Sequence, residues 1–291
     1  MDKGVSEAGG KTDPGKQAGD IDRLLWAVLI AILAYGALRA IGFAFGWRPP
    51  WLIYADAVEF TAPVGFMVLL CVRMLGAGRG AFFLAVAFAV STALEIAGLH
   101  GAGIFGPVYQ YNIWPKAFGL PFLIPAYWMG VIFFSYSFVN SFLTWTGRAK
   151  PARGRGGFVP LVLLVLADGL SVAIVDLALD PVAVGVGLWS WSEPGPFFGV
   201  PLANILGWFV IGALVSAIFR GFEYLKPGSP PRAPDTTVLL SVLGYGTIGL
   251  GLILQAWAYD FPAIAVIPPL TAGPALVLNA VLYLTRRRGR Q

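Results

Sequence analysis

Long apolar runs constrain this chain more than any other feature of its sequence. Runs of about 20 mostly apolar residues recur from Leu24 onward, which is the length that an α-helix needs to cross a hydrocarbon core roughly 30 Å thick. Hydrophobic residues make up 57% of the 291 residues and charged residues only 12%, a balance that excludes an ordinary soluble domain. The runs therefore predict an all-α, polytopic membrane protein with about eight transmembrane helices.

The predicted helices divide the chain into one membrane domain and two tails. Their approximate ranges are 24–46, 51–74, 80–100, 120–145, 158–180, 198–220, 237–258 and 262–285. Residues 1–22 are Gly-rich and mixed in charge, without the apolar core of a secretory signal, so we expect a disordered cytoplasmic tail there. Residues 23–285 are expected to form a single transmembrane domain, and residues 286–291 a basic cytoplasmic tail.

Basic residues are concentrated in alternate connections. The two tails and the connections near 76, 150 and 228 are rich in Lys and Arg, whereas the connections near 48, 110, 190 and 260 carry only Arg48 and Lys116. By the positive-inside rule, this asymmetry predicts a multi-pass protein of the cell membrane with both termini in the cytoplasm. Since topology accounts for the net charge of +5, we expect no nucleic-acid partner.

Two stretches of the chain share several residues at a constant offset of 80. The first runs from Glu95 to Trp128 and the second from Asp176 to Trp208. The matched pairs are Tyr109/Trp189, Tyr111/Trp191, Gly119/Gly199, Pro121/Pro201 and Trp128/Trp208. We interpret them as a parallel internal repeat of helical hairpins, with units at about 80–146 and 158–222, whose loops both lie on the non-cytoplasmic side.

Several ionisable residues interrupt the apolar runs. Such groups cost about 2.5–3.5 kcal/mol each on insertion scales, so each is a candidate functional group. They are Arg39, Asp56, Glu59, Glu95, Asp168, Asp176 and Asp180. Most lie near the outer helix ends, which predicts a polar pocket in the outer half of the bundle and almost no charge in the cytoplasmic half. We expect Arg39 to form a structural ion pair with Asp56 or Glu59, and Asp168 either to be functional or to hydrogen-bond between helices.

Glu95, Asp176 and Asp180 are the candidate catalytic residues. Asp176 and Asp180 are four residues apart and share one helix face. Two carboxyl groups this close in a poorly solvated site resist joint ionisation, so one of them can retain a proton and act as a general acid. Alternatively, Asp180 caps a helix end before Pro181 or pairs with a cation. His100 either relays protons or forms a polar cap at the interface.

Aromatic residues crowd the two matched loops and the helix starts that follow them. They belong either to the interfacial aromatic belt or to a pocket in which ring faces stabilise a cation; the matching register favours the pocket. The predicted substrate-binding residues are Tyr109, Tyr111, Trp128, Trp189, Trp191, Phe198, Asn204 and Trp208. A lone His with scattered carboxylates lacks the ligand spacing of a metal site, and we expect neither a metal nor a cofactor.

Residues 95–210 resemble the integral-membrane carotenoid hydratases, a family of carotenoid biosynthesis proteins that includes bisanhydrobacterioruberin hydratase and gamma-carotene 1'-hydratase. The resemblance depends on two spaced motifs, Glu95…Phe105-Gly106…Tyr109-x-Tyr111…Gly119-x-Pro121…Trp128 and Asp176…Asp180-Pro181…Trp189-x-Trp191…Phe198-Gly199-x-Pro201…Asn204…Trp208. The family has Thr-Gly where this chain has His100-Gly101, so His100 is a departure from its pattern.

The resemblance implies cofactor-free addition of water to the terminal C1–C2 double bond of an acyclic carotenoid (psi) end group. A carboxylic acid would protonate C2 and water would capture the tertiary cation at C1. Either Glu95 or Asp176 would donate the proton, and the other, or Asp180, would position the water. The implied partners are a carotenoid from the bilayer, water, membrane lipids and other enzymes of the carotenoid pathway.

Three other functions remain open from the sequence. A related membrane isoprenoid enzyme, such as a lycopene cyclase, would use the same protonation but quench the cation internally. A transporter would also contain buried carboxylates and repeats, although here the polar groups provide no predicted path to the cytoplasm. A pigment-binding membrane protein would carry the same aromatic residues without any chemistry at the carboxylates.

Overall fold

The protein is a bundle of long helices. The computed structural model describes residues 14–47, 52–103, 105–148, 155–226 and 233–290. The helices are α1 (Pro14–Ala44), α2 (Leu52–Leu75), α3 (Ala77–Leu99), α4 (Leu123–Thr146), α5 (Arg155–Gly185), α6 (Leu202–Leu225), α7 (Asp235–Ala258), α8 (Pro262–Ala265), α9 (Ile267–Thr271) and α10 (Gly273–Arg288). Within the described ranges, seven helical stretches are long and apolar enough to cross a membrane, α8 to α10 counting as one; α2 adds a further helix of 24 residues. The prediction of an all-α, polytopic membrane protein is confirmed.

Short strands join the two matched loops. The strands are β1 (Tyr109–Tyr111), β2 (Lys116–Ala117), β3 (Leu120–Pro121) and β4 (Trp189–Trp191). β1 pairs antiparallel with β4, so that Tyr109 lies opposite Trp191 and Tyr111 opposite Trp189, while β2 pairs with β3. We call β1 and β4 together the aromatic ribbon, and the end of the bundle that carries them the ribbon end. The loops that follow α3 and α5 therefore meet at one end of the bundle.

Helices α4 and α6 begin later than predicted. α4 begins at Leu123 rather than at 120, because Leu120 and Pro121 pair in β3. α6 begins at Leu202 rather than at 198, because Phe198 and Gly199 have φ angles of 51° and 85°, which a right-handed helix does not allow. Phe118 and Gly119, 80 residues earlier, have similar φ angles of 51° and 81°. The parallel repeat of whole hairpins stays a prediction.

The two predicted tails are partly helical, which corrects the sequence-based boundaries. α1 begins at Pro14, so residues 14–22 are helical rather than disordered; Asp22 accepts a hydrogen bond of 2.9 Å from Arg73 of α2. Residues 1–13 lie outside the described residues. At the other terminus α10 continues through Arg288, and Arg286 lies 3.2 Å from Asp235 of α7. These ion pairs hold both helix ends against neighbouring helices.

The last predicted span is not one helix. Instead of a continuous helix over 262–285, the chain forms α8, α9 and α10, separated at Val266 and Ala272. Three prolines explain the interruptions, because proline has no backbone N–H to continue the helical hydrogen bonds. They are Pro268, Pro269 and Pro274.

Helix α4 lies at the centre of the bundle and packs against α2, α3, α5, α6, α7 and α10. The pair α5 and α6 is packed closely: a Cβ atom on Gly169 of α5 would lie 2.7 Å from the carbonyl oxygen of Phe209 on α6. Small residues at such crossings let two membrane helices approach each other. This close approach holds the ribbon-end half of α5 against the first turns of α6.

Candidate active site

The aromatic ribbon presents four buried rings. Tyr109 and Trp191 pair across the strands with ring centroids 5.9 Å apart, and Tyr111 and Trp189 with centroids 5.4 Å apart. All four side chains are at least nine-tenths buried, while Gln110 between the two tyrosines is exposed. Alternate residues of a strand point to the same side, so the ribbon turns one aromatic face toward the helices below it.

Glu95 of α3 is held by three hydrogen-bond donors. Its side chain is 3% exposed and lies four residues before the end of the helix. The Oε2 atom accepts hydrogen bonds from the hydroxyl groups of Tyr109, at 2.5 Å, and Tyr111, at 3.0 Å. The Oε1 atom accepts one from Nε1 of Trp128 on α4, at 2.6 Å. Donors aimed at both oxygens complement a carboxylate.

Gly98 makes room for this arrangement. A Cβ atom at this position would lie 2.9 Å from Cε2 of Phe105 and 3.1 Å from the Tyr109 hydroxyl oxygen. Phe105 is buried and packs edge-on against Tyr109, with centroids 5.9 Å apart. The absent side chain of Gly98 thus lets the loop after α3 fold back and bring the tyrosines of β1 onto Glu95.

The two tyrosines of β1 act as donors. Burial raises the pKa of Tyr109 and of Tyr111, and the neighbouring charge of Glu95 raises both pKa values further. Both hydroxyl groups therefore stay protonated at physiological pH, and both point their hydrogens at Glu95.

Asp176 and Asp180 form a second carboxyl centre on α5. Both are buried, 0% and 2% exposed, and they lie four residues apart on one face of the helix. Nδ2 of Asn204 on α6 donates to both, at 3.2 Å to Oδ2 of Asp176 and more closely to Oδ2 of Asp180. One amide thus reaches both carboxyl groups, and two carboxyl groups this close in a poorly solvated site resist joint ionisation.

The continuation of α5 past Asp180 removes one alternative interpretation. The helix runs through Pro181 to Gly185, so Asp180 does not cap a helix end. At 1.5 Å per residue, Asp180 and Asp176 lie roughly 8 and 14 Å before that end.

The two carboxyl centres belong to one site. Glu95 lies near enough to Asp176 and Asp180 for negative charges on them to repel. Between the helices that carry them, Trp128 stacks on Trp208 with ring centroids 3.4 Å apart and an interplanar angle of 26°. The site therefore combines a close pair of buried carboxyl groups, a third carboxyl group held by three donors, and buried rings that can face a cation.

Two buried polar atoms at the site have no hydrogen-bond partner among the described residues. They are Oδ1 of Asp176 and Nε1 of Trp191. A buried acceptor or donor left without a partner is destabilising by about 1–3 kcal/mol. Such atoms are therefore candidates for binding a substrate or a water molecule.

Two predicted site residues lie apart from this arrangement. Phe198 is 46% exposed, because its positive φ angle turns the loop outward before α6. Its assignment as a substrate-binding residue stays a prediction. His100 is exposed at the C-terminal end of α3, where its Nδ1 atom lies 2.8 Å from the carbonyl oxygen of Ile96. The groups that contact Glu95 are tyrosine and tryptophan side chains, not His100, which corresponds to a polar cap at the helix end.

The predicted ion pair of Arg39 stays a prediction. Arg39 is half-buried in α1, and Asp56 and Glu59 lie in α2. The side chains of 52–60 fall outside the described residues.

A second buried polar cluster surrounds Asp168, which hydrogen-bonds between helices as one of its two predicted alternatives required. Asp168 accepts hydrogen bonds of 2.6 and 2.8 Å from Arg220 of α6, which is 3% exposed and also donates to Asn140 at 3.0 Å. Glu223 accepts a hydrogen bond of 2.8 Å from Tyr136. The predicted sixth helix ends at 220, whereas α6 continues to Leu225, so that Arg220 and Glu223 both lie within its last turns. The expectation that the half away from the ribbon carries almost no charge is therefore wrong.

Removing Arg220 alone is expected to destabilise the fold strongly. The change Arg220→Met leaves the Asp168 carboxylate buried without its partner, which costs about 3–5 kcal/mol of unfolding free energy, whereas replacing both residues by apolar ones is about neutral. Equilibrium unfolding in mixed detergent micelles measures this difference. Arg23→Met is the matched control, because the Arg23–Asp20 pair is exposed. A loss below about 1 kcal/mol in Arg220→Met would contradict a structural role for this ion pair.

An apolar cavity of about 140 Å³ lies between α5, α7 and the α9–α10 segment. Its lining includes Val175, which directly precedes Asp176, as well as Tyr245, Gly249 and Leu250.

Among the described residues, no group of three or more His, Cys, Asp or Glu side chains is placed to hold a metal ion. Cys71 is buried in α2, with its thiol 3.8 Å from the carbonyl oxygen of Gly80.

Two comparisons with known proteins agree on one family. A family model described as carotenoid biosynthesis protein matches residues 56–268, a range that contains both carboxyl centres and the aromatic ribbon. Bisanhydrobacterioruberin hydratase of Haloarcula japonica is 29% identical over 174 residues, which are 57% of this chain and 54% of that protein. The chain thus spans about half the length of this curated relative. No solved structure matches.

Proposed function

Because the chain belongs to the family of carotenoid biosynthesis proteins, we propose that it adds water to the terminal C1–C2 double bond of an acyclic carotenoid end group. The observation that carries the proposal is the buried pair of Asp176 and Asp180, whose carboxyl groups both accept a hydrogen bond from Asn204; two carboxyl groups this close in a dry site resist joint ionisation, so the pair retains a proton. The name of the matched relative, a hydratase, supports the same reaction class. Proton transfer from a carboxyl group to an alkene carbon is the demanding step of such a hydration.

The carboxyl centres have different roles in this proposal. The Asp176–Asp180 pair transfers its proton to C2, and the electrons of the double bond form the new C–H bond. This leaves a tertiary cation at C1. Glu95, whose oxygens receive three hydrogen bonds, remains the carboxylate that stabilises the cation. Charge placed in advance in a dry site stabilises a transition state more strongly than it would in water.

Water then captures the cation. The oxygen of the water forms a bond to C1, and one of its protons returns to the ionised aspartate pair, so the acid is regenerated and no electrons leave the substrate. Oδ1 of Asp176, buried and without a partner among the described residues, is the acceptor for that proton. The stacked rings of Trp128 and Trp208 shield the cation from bulk water until it is captured.

The apolar part of the substrate approaches from the bilayer. Of the residues that line the 140 Å³ cavity, Val175 is buried beside Asp176 and Leu250 is 44% exposed on the membrane side of α7. An apolar cavity of about 150 Å³ can hold a molecule as large as benzene, so this space suits a short segment of an isoprenoid chain. We place a part of the polyene remote from the reacting double bond there.

Expression of the chain in cells that make lycopene tests the proposal. We expect a product heavier by one water molecule, and in water labelled with ¹⁸O the label should appear in the new tertiary hydroxyl group. Mass spectrometry of extracted carotenoids measures both. Cells carrying the Glu95→Gln, Asp176→Asn double variant are the control. An isomer of unchanged mass would instead indicate a cyclase, and an unlabelled hydroxyl group would contradict hydration by solvent water.

A further inference from the structure

The aromatic ribbon aims two hydroxyl hydrogens at Glu95 and buries an indole N–H that has no acceptor among the described residues. Tyr109 and Tyr111 donate to Glu95, and the ring of Trp189 packs against that of Tyr111. The remaining residue, Trp191, is 7% exposed, and its indole N–H meets no acceptor among the described residues. Since buried donors in folded proteins nearly always find an acceptor, an acceptor from outside the protein is the expected partner.

Trp191 is connected to both carboxyl centres through its contact with Tyr109. Its ring lies opposite that of Tyr109, with centroids 5.9 Å apart and planes inclined by 38°. The Tyr109 hydroxyl contacts Glu95 directly and is near enough to Asp180 to respond to its charge. Trp191 therefore belongs to the part of the ribbon that covers the reacting groups, and not to the exposed part of the loop.

Resting on the proposed hydration, we propose that the indole N–H of Trp191 binds the oxygen of the water molecule that captures the cation, and then the tertiary hydroxyl group of the product. One lone pair of the water oxygen forms the bond to C1, and the other accepts the hydrogen bond from Trp191. One proton of the water passes to the ionised aspartate pair through Oδ1 of Asp176. The step makes one C–O bond, breaks one O–H bond, and needs no oxidant or reductant.

This role predicts a change in the fate of the cation, which a packing role does not. The cation can be captured by water, or it can return a proton to the aspartate pair and become an alkene again. If Trp191 only filled space, its replacement would lower the rates of all steps after substrate binding by the same factor. If Trp191 holds the water, its replacement lowers capture specifically, and more cations revert.

The reaction of Trp191→Phe in D₂O measures this partition. The aspartate pair exchanges its proton with solvent, so a cation that reverts leaves deuterium in the recovered carotenoid. Relative to the wild type, we expect the ratio of deuterated recovered carotenoid to hydrated product to rise about threefold to tenfold, the value of one hydrogen bond. Mass spectrometry of both species from the same membranes gives the ratio.

Trp114→Phe is the matched control, because Trp114 lies in the same loop region but is 72% exposed; its ratio should equal that of the wild type. An unchanged ratio in Trp191→Phe, whatever the total rate, would overturn the proposal. If that variant does not accumulate, β-(3-benzothienyl)alanine at position 191 keeps the bicyclic ring and removes only the N–H. A wild-type chain that neither hydrates nor exchanges would contradict the proposed function itself, and this inference with it.

Discussion

Asp176→Asn is expected to lower the rate of hydration by about 10²- to 10⁴-fold, the contribution of a general acid. The substitution keeps the size of the side chain but removes the shared proton, and Asp180 is left to ionise beside Asn204. It also replaces Oδ1 or its neighbour by an amide nitrogen, which cannot accept the proton of the attacking water. Product formed per unit of membrane protein, with the amount of chain measured by immunoblot, gives the rate.

Asp260→Asn provides the matched control for this prediction. Asp260 is exposed at the ribbon end and has a φ angle of 62°, which asparagine also tolerates. The same chemical change there should leave hydration unaltered. Activity of Asp176→Asn within tenfold of the wild type would show that the aspartate pair does not supply the proton.

Glu95→Gln is expected to reduce hydration by about 10²- to 10³-fold, as removal of a charge-stabilising group from an active site does. Glutamine keeps the shape of the side chain and can still accept the hydrogen bond from Trp128. It carries no charge, however, and its amide hydrogens face the hydroxyl groups of Tyr109 and Tyr111.

Tyr111→Phe removes one donor and keeps the carboxyl group of Glu95, so we expect only a threefold to tenfold loss of hydration rate in this variant, about the value of a single hydrogen bond.

Deuterium exchange with the solvent distinguishes the proposed role of Glu95 from the role of the water-binding groups. If Glu95 stabilises the cation, Glu95→Gln should lower hydration and deuterium incorporation into recovered carotenoid in parallel, because fewer cations form. Glu193→Gln, an exposed glutamate beside β4, is the control and should alter neither. Exchange that stays at the wild-type rate in Glu95→Gln while hydration falls would assign Glu95 to water capture instead.

The positions of the site carboxylates could be predicted because charge inside an apolar run is conspicuous. Glu95, Asp176 and Asp180 each interrupt a run that is otherwise long enough to cross a membrane, and such residues persist only where they have a partner or a function. The spacing of the ribbon aromatics was also informative, since alternate residues of an extended segment share one side.

The hydrogen-bond partners of those carboxylates could not be predicted. Glu95 receives its donors from residues 14, 16 and 33 positions away, and Asn204 reaches the aspartate pair from 28 and 24 positions away. The offset of 80 aligned Tyr109 with Trp189, yet the antiparallel ribbon places Tyr109 opposite Trp191. Contacts between distant segments depend on how helices pack, which no local pattern contains.

Arg220 is a further residue whose role depends on contacts between distant segments. Its position near the end of an apolar run suited a topological anchor, and only the packing of α5 against α6 shows that it neutralises Asp168 inside the bundle.

By itself, the sequence determined the helical membrane fold, the carboxylates of the site and its aromatic character. Hydrophobic run length and the cost of burying charge act along the chain and can be read residue by residue. The tertiary structure alone decided that Glu95 is held by three donors, that Asn204 reaches both Asp176 and Asp180, and that the indole N–H of Trp191 meets no acceptor in the described part of the chain. Those properties depend on hydrogen bonds across helices and strands, whose lengths are set by packing in three dimensions.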